Sequence, residues 1–123
     1  MPIFVIHEHH ARKLHWDLRL EKNGVLKSWA IPKELPKGPG IKRLAIPVED
    51  HSLDYANFEG EIPKGFYGGG KVLIWDKGNY EEIEWTKDKI VVNFKGKKLK
   101  GEYVLVKMKS GKYKDYWLFF KKK

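Results

Sequence analysis

No stretch of this sequence is patterned for more than two turns of helix, and that constraint shapes everything else it can fold into. Runs that alternate or concentrate β-formers recur instead: Ile3 to His7, Leu14 to Glu21, Val25 to Ile31, Arg43 to Val48, Lys71 to Trp75, Ile90 to Phe94, Glu102 to Met108 and Tyr116 to Phe120. Turn chemistry separates them, as in Lys22-Asn23-Gly24, Pro36-Lys37-Gly38-Pro39-Gly40, Asp76-Lys77-Gly78-Asn79, Lys95-Gly96 and Lys109-Ser110-Gly111. Only His51 to Phe58 could hold two helical turns, with Ser52 as its N-cap. The expectation is an all-β fold: a small antiparallel β-barrel of about eight strands with one short helix. Closure removes the edges that an open sheet must protect. At 123 residues the chain makes one domain, 1–123, and its 41% hydrophobic residues suffice for a core.

Composition narrows the chemistry. The chain has no Cys, which excludes disulfides, thiolate metal sites and a Cys nucleophile, leaving His, carboxylate, Arg, Lys, Tyr and Ser. No run reaches the roughly 18 apolar residues of a membrane helix, and no basic segment precedes the apolar start, so no membrane association and a cytoplasmic location are expected. The net charge of +9 suits a polyanionic partner, although a solvated lysine-rich surface is the plainer explanation of such a surplus. Its distribution is uneven: residues 61–123 carry 16 basic against 8 acidic side chains, residues 1–60 only 9 against 8. Arginine is scarce, with Arg12, Arg19 and Arg43 its only positions, as if guanidinium were reserved for bidentate phosphate contacts.

Four of the five histidines fall in His7-Glu8-His9-His10-Ala11-Arg12-Lys13-Leu14-His15, followed at once by Trp16-Asp17-Leu18-Arg19. Period-two alternation sends Leu14, Trp16, Leu18 and Leu20 to one face of a strand and His15, Asp17, Arg19 and Glu21 to the other. An ordinary half-buried strand also has a wet face, but such faces are usually Lys, Glu, Thr or Ser. His7 and His9 point one way on the preceding extended segment, so a short connection lets His9, His15 and Asp17 converge. Two imidazoles and a carboxylate suit manganese, iron(II) or zinc, here expected inside the barrel. Arg19 would lie beyond the ion, placed to neutralise a phosphate oxygen. His7 and His10, taken singly, read as surface or hydrogen-bonded histidines. A second cluster offers Glu49, Asp50, His51 and Tyr55; if helical, His51 and Tyr55 share a face as i and i+4, although, taken alone, Tyr55 reads better as a core tyrosine and Glu49 and Asp50 as a helix-start charge pair. The glycine-rich Phe58 to Gly70 segment lacks the Gly-Lys-Ser/Thr ending of a phosphate loop and reads as a structural turn.

The ordered motifs His9-His10-Ala11-Arg12-Lys13-Leu14-His15-Trp16-Asp17-Leu18-Arg19-Leu20-Glu21, Gly24 to Lys33, Lys42-Arg43-Leu44-Ala45, Glu49 to Tyr55, Phe58 to Pro63 and Tyr67-Gly68 resemble the 3′-phosphoesterase domain of DNA ligase D over nearly the whole chain. The resemblance implies a β-barrel with a crater and an Mn2+-dependent enzyme acting on DNA or RNA primer-template 3′ ends in strand-break repair. It implies removal of a 3′-terminal ribonucleoside and then of the 3′-phosphate to leave a 3′-hydroxyl. Carried over by position, His9, His15 and Asp17 are the metal ligands. Arg19, Arg43 and His51 are phosphate-contacting and catalytic groups, Tyr55 and Glu49 catalytic partners, and Lys33 and His7 substrate contacts. The chain departs from the family at His7, where Gln is usual, and at Trp16, where Tyr or Phe is usual. It reads as a free-standing version that would meet a separate DNA ligase and polymerase. Two rivals stand beside it: a non-catalytic single-strand nucleic-acid-binding barrel, and an iron(II) oxygenase built on His15, Asp17 and His51.

Overall fold

The computed structural model describes residues 1–63, 65 and 69–123. Its strands are β1 (Ile3–His10), β2 (Leu14–Lys22), β3 (Val25–Ile31), β4 (Lys42–His51), β5 (Gly60–Ile62), β6 (Gly70–Trp85), β7 (Lys89–Lys95), β8 (Lys100–Lys107) and β9 (Trp117–Lys121). All the strand pairings are antiparallel, in the order β1-β2-β3-β4-β9-β8-β7-β6-β5. A further antiparallel pairing of β1 with β6 closes eight of the strands into the expected barrel, and β5 adds three residues to the rim of β6. No helix among the described residues is long and apolar enough to cross a membrane.

Alternation fills the interior. Phe4 and Ile6 of β1, Trp16, Leu18 and Leu20 of β2, Trp29 of β3, Phe94 of β7, Tyr103 of β8 and Phe119 of β9 form one buried cluster. Phe94 meets Phe4 at 4.7 Å and Tyr103 at 5.2 Å between ring centroids, both edge-on, the arrangement that favours aromatic quadrupoles. Trp16 belongs to this interior, so the departure from the family pattern there falls on the core. Strands β1 to β3 are buried on their outer side too. A second cluster of Val5, Leu26 and Ala56, with Ile3, Leu53, Tyr55 and Ile74 packed against it, lies on that wall. This is why β2 reads as buried without a break from Trp16 to Leu20.

Three expectations change. The helix expected over His51 to Phe58 is a single 3-10 turn, Leu53–Asn57, and Ser52 sits at its N-cap without a side-chain hydrogen bond. The strand β5 was not legible, because three residues with a glycine carry no period. Asp76-Lys77-Gly78-Asn79 is no turn; it lies inside the 16-residue β6. Its polar residues have other duties. Asp76 is buried, and its carboxylate accepts the backbone N–H groups of Lys77, Lys97, Lys98 and Leu99 at 2.9 to 3.0 Å, tying down the β7–β8 connection. Gly78 passes so close to Lys95 that a Cβ would stand 2.5 Å from that carbonyl oxygen.

Asp76→Ala strands three amides of the neighbouring hairpin, and urea unfolding is expected to show a loss of about 2 to 3 kcal/mol. A second outcome follows from Tyr103, whose hydroxyl donates to the Pro36 carbonyl at 2.7 Å. Burial, followed by the Asp76 charge, pushes its phenol up to about 12. A phenol raised on folding stabilises fully below its unfolded value near 10 and loses that contribution as pH climbs through 12. The urea midpoint should therefore fall between pH 10 and 12, less steeply in Tyr103→Phe.

Candidate functional site

The β1–β2 hairpin makes the site. Its register sets His9 against His15 and His7 against Asp17, and the alternation that puts Trp16 and Leu18 in the core turns His15, Asp17 and Arg19 outward. The cluster therefore lies on the outer wall of the barrel. The interior, where the ion was expected, is filled by aromatic and aliphatic side chains.

His9 Nδ1 and His15 Nε2 stand 3.2 Å apart, Asp17 Oδ1 is 3.3 Å from His15 Nε2, and Asp17 Oδ2 is 3.7 Å from His9 Nδ1. The outer nitrogen of each ring faces a backbone carbonyl: His9 Nε2 meets Gly69 at 3.1 Å and His15 Nδ1 meets Lys13 at 3.2 Å. Only an N–H can bond a carbonyl oxygen, so both rings keep their proton outside and aim a lone pair at the same point as the carboxylate. Two lone pairs that close repel unless a cation lies between them. Donors about 2.1 Å from one ion lie roughly 3.0 to 3.4 Å from each other, close to the separations here, so these residues fit a divalent transition ion. The same demand for positive charge acts on His15, whose imidazole is raised by its contact with Asp17, outweighing burial.

Arg19 anchors the next row. Its Nε donates to His7 Nδ1 at 3.1 Å, Nη1 to Ser28 Oγ at 2.9 Å and Nη2 to Asp17 Oδ2 at 3.3 Å. The guanidinium also lies 5.0 Å from the centre of the Tyr55 ring. His7 Nε2 donates in turn to the Phe58 carbonyl at 3.1 Å, which fixes its neutral tautomer. Burial and then the Arg19 charge lower its imidazole to about 4. Burial alone would raise the Asp17 carboxyl, but its close approach to the His15 and His9 rings and the charge of Arg19 hold it well below the usual carboxylate range. His7 is thus wholly buried in the arginine's support and does not face the cleft.

A cleft of about 1040 Å³ opens over these groups, lined among others by His9, Arg12, His15, Asp17, Arg19, His51 and Tyr55. The rings of His51 and Tyr55 stack at 4.4 Å, the contact expected of i and i+4, although His51 ends a strand and Tyr55 sits in the 3-10 turn. Burial first, then Arg19, lowers His51; burial raises the Tyr55 phenol. Three expected residues stand apart. Arg43 lies on the half of β4 paired with β9 and donates its Nε–H to the Glu34 carbonyl at 2.8 Å. Lys33 and Glu49 are exposed, and none of the three lines the cleft. His10 pairs with Glu8 at 2.7 Å on the surface, although it reaches the cleft's edge. The glycine-rich turn expected over Phe58 to Gly70 falls partly outside the described residues, at 64 and 66–68. Two functional groups had gone unassigned. Ser28 holds Arg19, its trace in the sequence being a hydroxyl on an otherwise buried strand; Arg12 lines the cleft from the β1–β2 turn, its trace being the scarcity of arginine.

Fold and site define a small β-barrel whose outer wall carries a cleft in which two imidazoles and a carboxylate converge beside Arg12 and Arg19. The family model for the DNA ligase D 3′-phosphoesterase domain matches residues 7–107. Multifunctional non-homologous end joining protein LigD of Mycobacterium bovis is 49% identical over 119 residues, covering 94% of this chain. Its counterpart in Mycobacterium tuberculosis, named as a DNA repair protein, gives the same figures, and that of Pseudomonas aeruginosa is 41% identical over 125 residues, covering 98% of this chain. The chain belongs to the DNA ligase D 3′-phosphoesterase domain family. It spans 15% of the length of each of these relatives.

His15→Ala removes one of three converging donors and is expected to weaken Mn2+ binding at least about 100-fold in titration calorimetry, with the circular dichroism spectrum unchanged.

Proposed function

We propose that this barrel is a metal-dependent phosphoesterase that trims DNA or RNA primer-template 3′ ends, removing a 3′-terminal ribonucleoside and then the 3′-phosphate to leave a 3′-hydroxyl. The observation that carries this reading is the convergence of His9, His15 and Asp17 in a cleft whose other charged groups, Arg12 and Arg19, are cationic. That combination takes a metal ion and a phosphate together. Family membership supports the same chemistry, and the end-joining names of the relatives support strand breaks as the source of the ends, where a separate ligase and a polymerase would act in turn. A cytoplasmic location fits this role.

His9, His15 and Asp17 would hold the divalent ion, Mn2+ on the family's precedent, which supplies Lewis-acid polarisation of a phosphoryl oxygen. The chain's own residues do the rest. Arg19, fixed by His7, Ser28 and Asp17, presents its guanidinium without having to be ordered first, so its help is greatest as charge builds on the phosphoryl oxygens. His51, with its imidazole lowered, is neutral near pH 7 and can take or give a proton at the reacting oxygens. The raised Tyr55 phenol stays protonated, so it can donate a hydrogen bond to substrate, and it holds the His51 ring by stacking. Arg43, Glu49 and Lys33 enter this reading only on the family motif, as a phosphate contact, a catalytic partner and a supporting contact.

The test is a labelled duplex whose primer ends in a ribonucleotide, incubated with protein and Mn2+. A 3′-phosphate product followed by a 3′-hydroxyl product is expected, with neither in EDTA. His51→Ala should slow both steps by at least about 100-fold while Mn2+ affinity holds. Binding that survives chelation with no cleavage under any condition would favour the non-catalytic barrel instead.

A further inference from the structure

The site just described draws on residues up to Gly70, yet the basic surplus lies beyond residue 60. Part of it gathers on the β8–β9 connection, Met108 to Tyr116, where Lys109, Lys112 and Lys114 accompany two tyrosines. Tyr113 is 42% exposed, stacks on Tyr116 at 6.1 Å between centroids, and has the Lys112 ammonium 5.5 Å from its ring centre. The acidic neighbours are Asp115, 3.7 Å from Lys107, and Asp88, 3.4 Å from Lys109. Lys112 and Lys114 form no ion pair among the described residues. Nor is this a loose loop. Asp115 donates its N–H to the Met108 carbonyl at 2.8 Å, Met108 to Tyr116 at 2.8 Å, and Tyr116 to Tyr113 at 3.0 Å.

Strand register locates this tip relative to the cleft. His7 pairs with Asp17, Asp17 with Ala30, and Ala30 with Ile46. Ala45 pairs with Trp117, so carrying that antiparallel register one residue on sets Tyr116 beside Ile46. Trp117 points into the core, which turns Tyr116 to the outer side, the side of the cleft. Tyr116, on which Tyr113 stacks, therefore continues the transverse row that holds Asp17. Three strand spacings of about 4.8 Å put Tyr116, at the base of the tip, roughly 14 Å from Asp17 around the wall, a distance that about four nucleotides span.

We propose that this tip is a second contact surface for nucleic acid, on which Tyr113 stacks a base of a single-stranded segment while Lys112 and Lys114 neutralise its phosphates. Stacking on an exposed ring with ammonium groups alongside is how single strands are held without sequence preference. The proposal rests on the end-processing reading for its choice of partner but not for its test. Fluorescence anisotropy with a labelled single-stranded 12-mer, and with a duplex carrying a single-stranded template overhang, reads binding whether or not turnover occurs.

Tyr113→Ala combined with Lys112→Glu and Lys114→Glu is expected to weaken binding of both probes at least about tenfold and to reduce the slope of log affinity against log salt by about 1.4, at about 0.7 per single-strand phosphate contact. A blunt duplex without an overhang should lose less. Turnover of a nucleoside 3′-monophosphate, which is too short to reach the tip, should match the wild type and also shows that the variant is folded. Unchanged affinity and salt slope would overturn the proposal, as would a wild-type protein that binds neither probe. Binding that weakens as expected in a protein without turnover would leave this surface standing and sink the phosphoesterase reading alone.

Discussion

A carboxylate and a guanidinium on one strand, Asp17 and Arg19, are each about 95% removed from water, and the rest of the site is arranged around making that tolerable. Either charge left alone at such a depth would cost several kcal/mol, so neither can be changed without exposing the other's need for a partner. Asp17 answers with Arg19, His9 and His15, and Arg19 with Asp17, His7 and Ser28. Satisfying both orients two imidazoles toward one point and leaves a rigid guanidinium beside it. The same hydrogen bonds that make burial affordable also preorganise the chemistry.

That arrangement is possible because β1 to β3 are covered on both sides. The barrel interior takes one face of each strand, and the 3-10 turn with Tyr55 and Leu53 lies over part of the other. Covering the outer wall lowers the local dielectric around Asp17 and Arg19, which strengthens their interaction and shifts His7, His51 and Tyr55 toward their neutral forms. The part left uncovered is the cleft.

The sequence made the architecture legible because period-two alternation and turn residues are local signals; each of the eight barrel strands has a run foreseen from them, with bounds shifted by a few residues and with only the first part of β6 recognised. Asp76 misled for a physical reason: a polar Asp-x-Gly-Asn string looks the same whether it bends its own chain or clamps a neighbour's amides. The convergence of His9, His15 and Asp17 was legible as well, since His15-x-Asp17 on a strand and His9 across a tight hairpin need only register. Which wall they face could not be read, because Trp16 and His15 alternate identically about a closed sheet whether its packed side is the inside or the outside; the filled interior decides it. The support of Arg19 by Ser28 and His7 escaped because it depends on three strands at once.

Gly70 carries a consequence for how this site can vary. It opens β6 at φ +117°, and a side chain there would drive a Cβ to within 2.3 Å of the His10 carbonyl oxygen. The residue just before it offers the carbonyl that fixes the His9 ring, so one glycine gauges both the seam that shuts the barrel and the aim of a ligand. A side chain at that position would disturb the strand seam and the His9 ring together, so neither could be mended without the other.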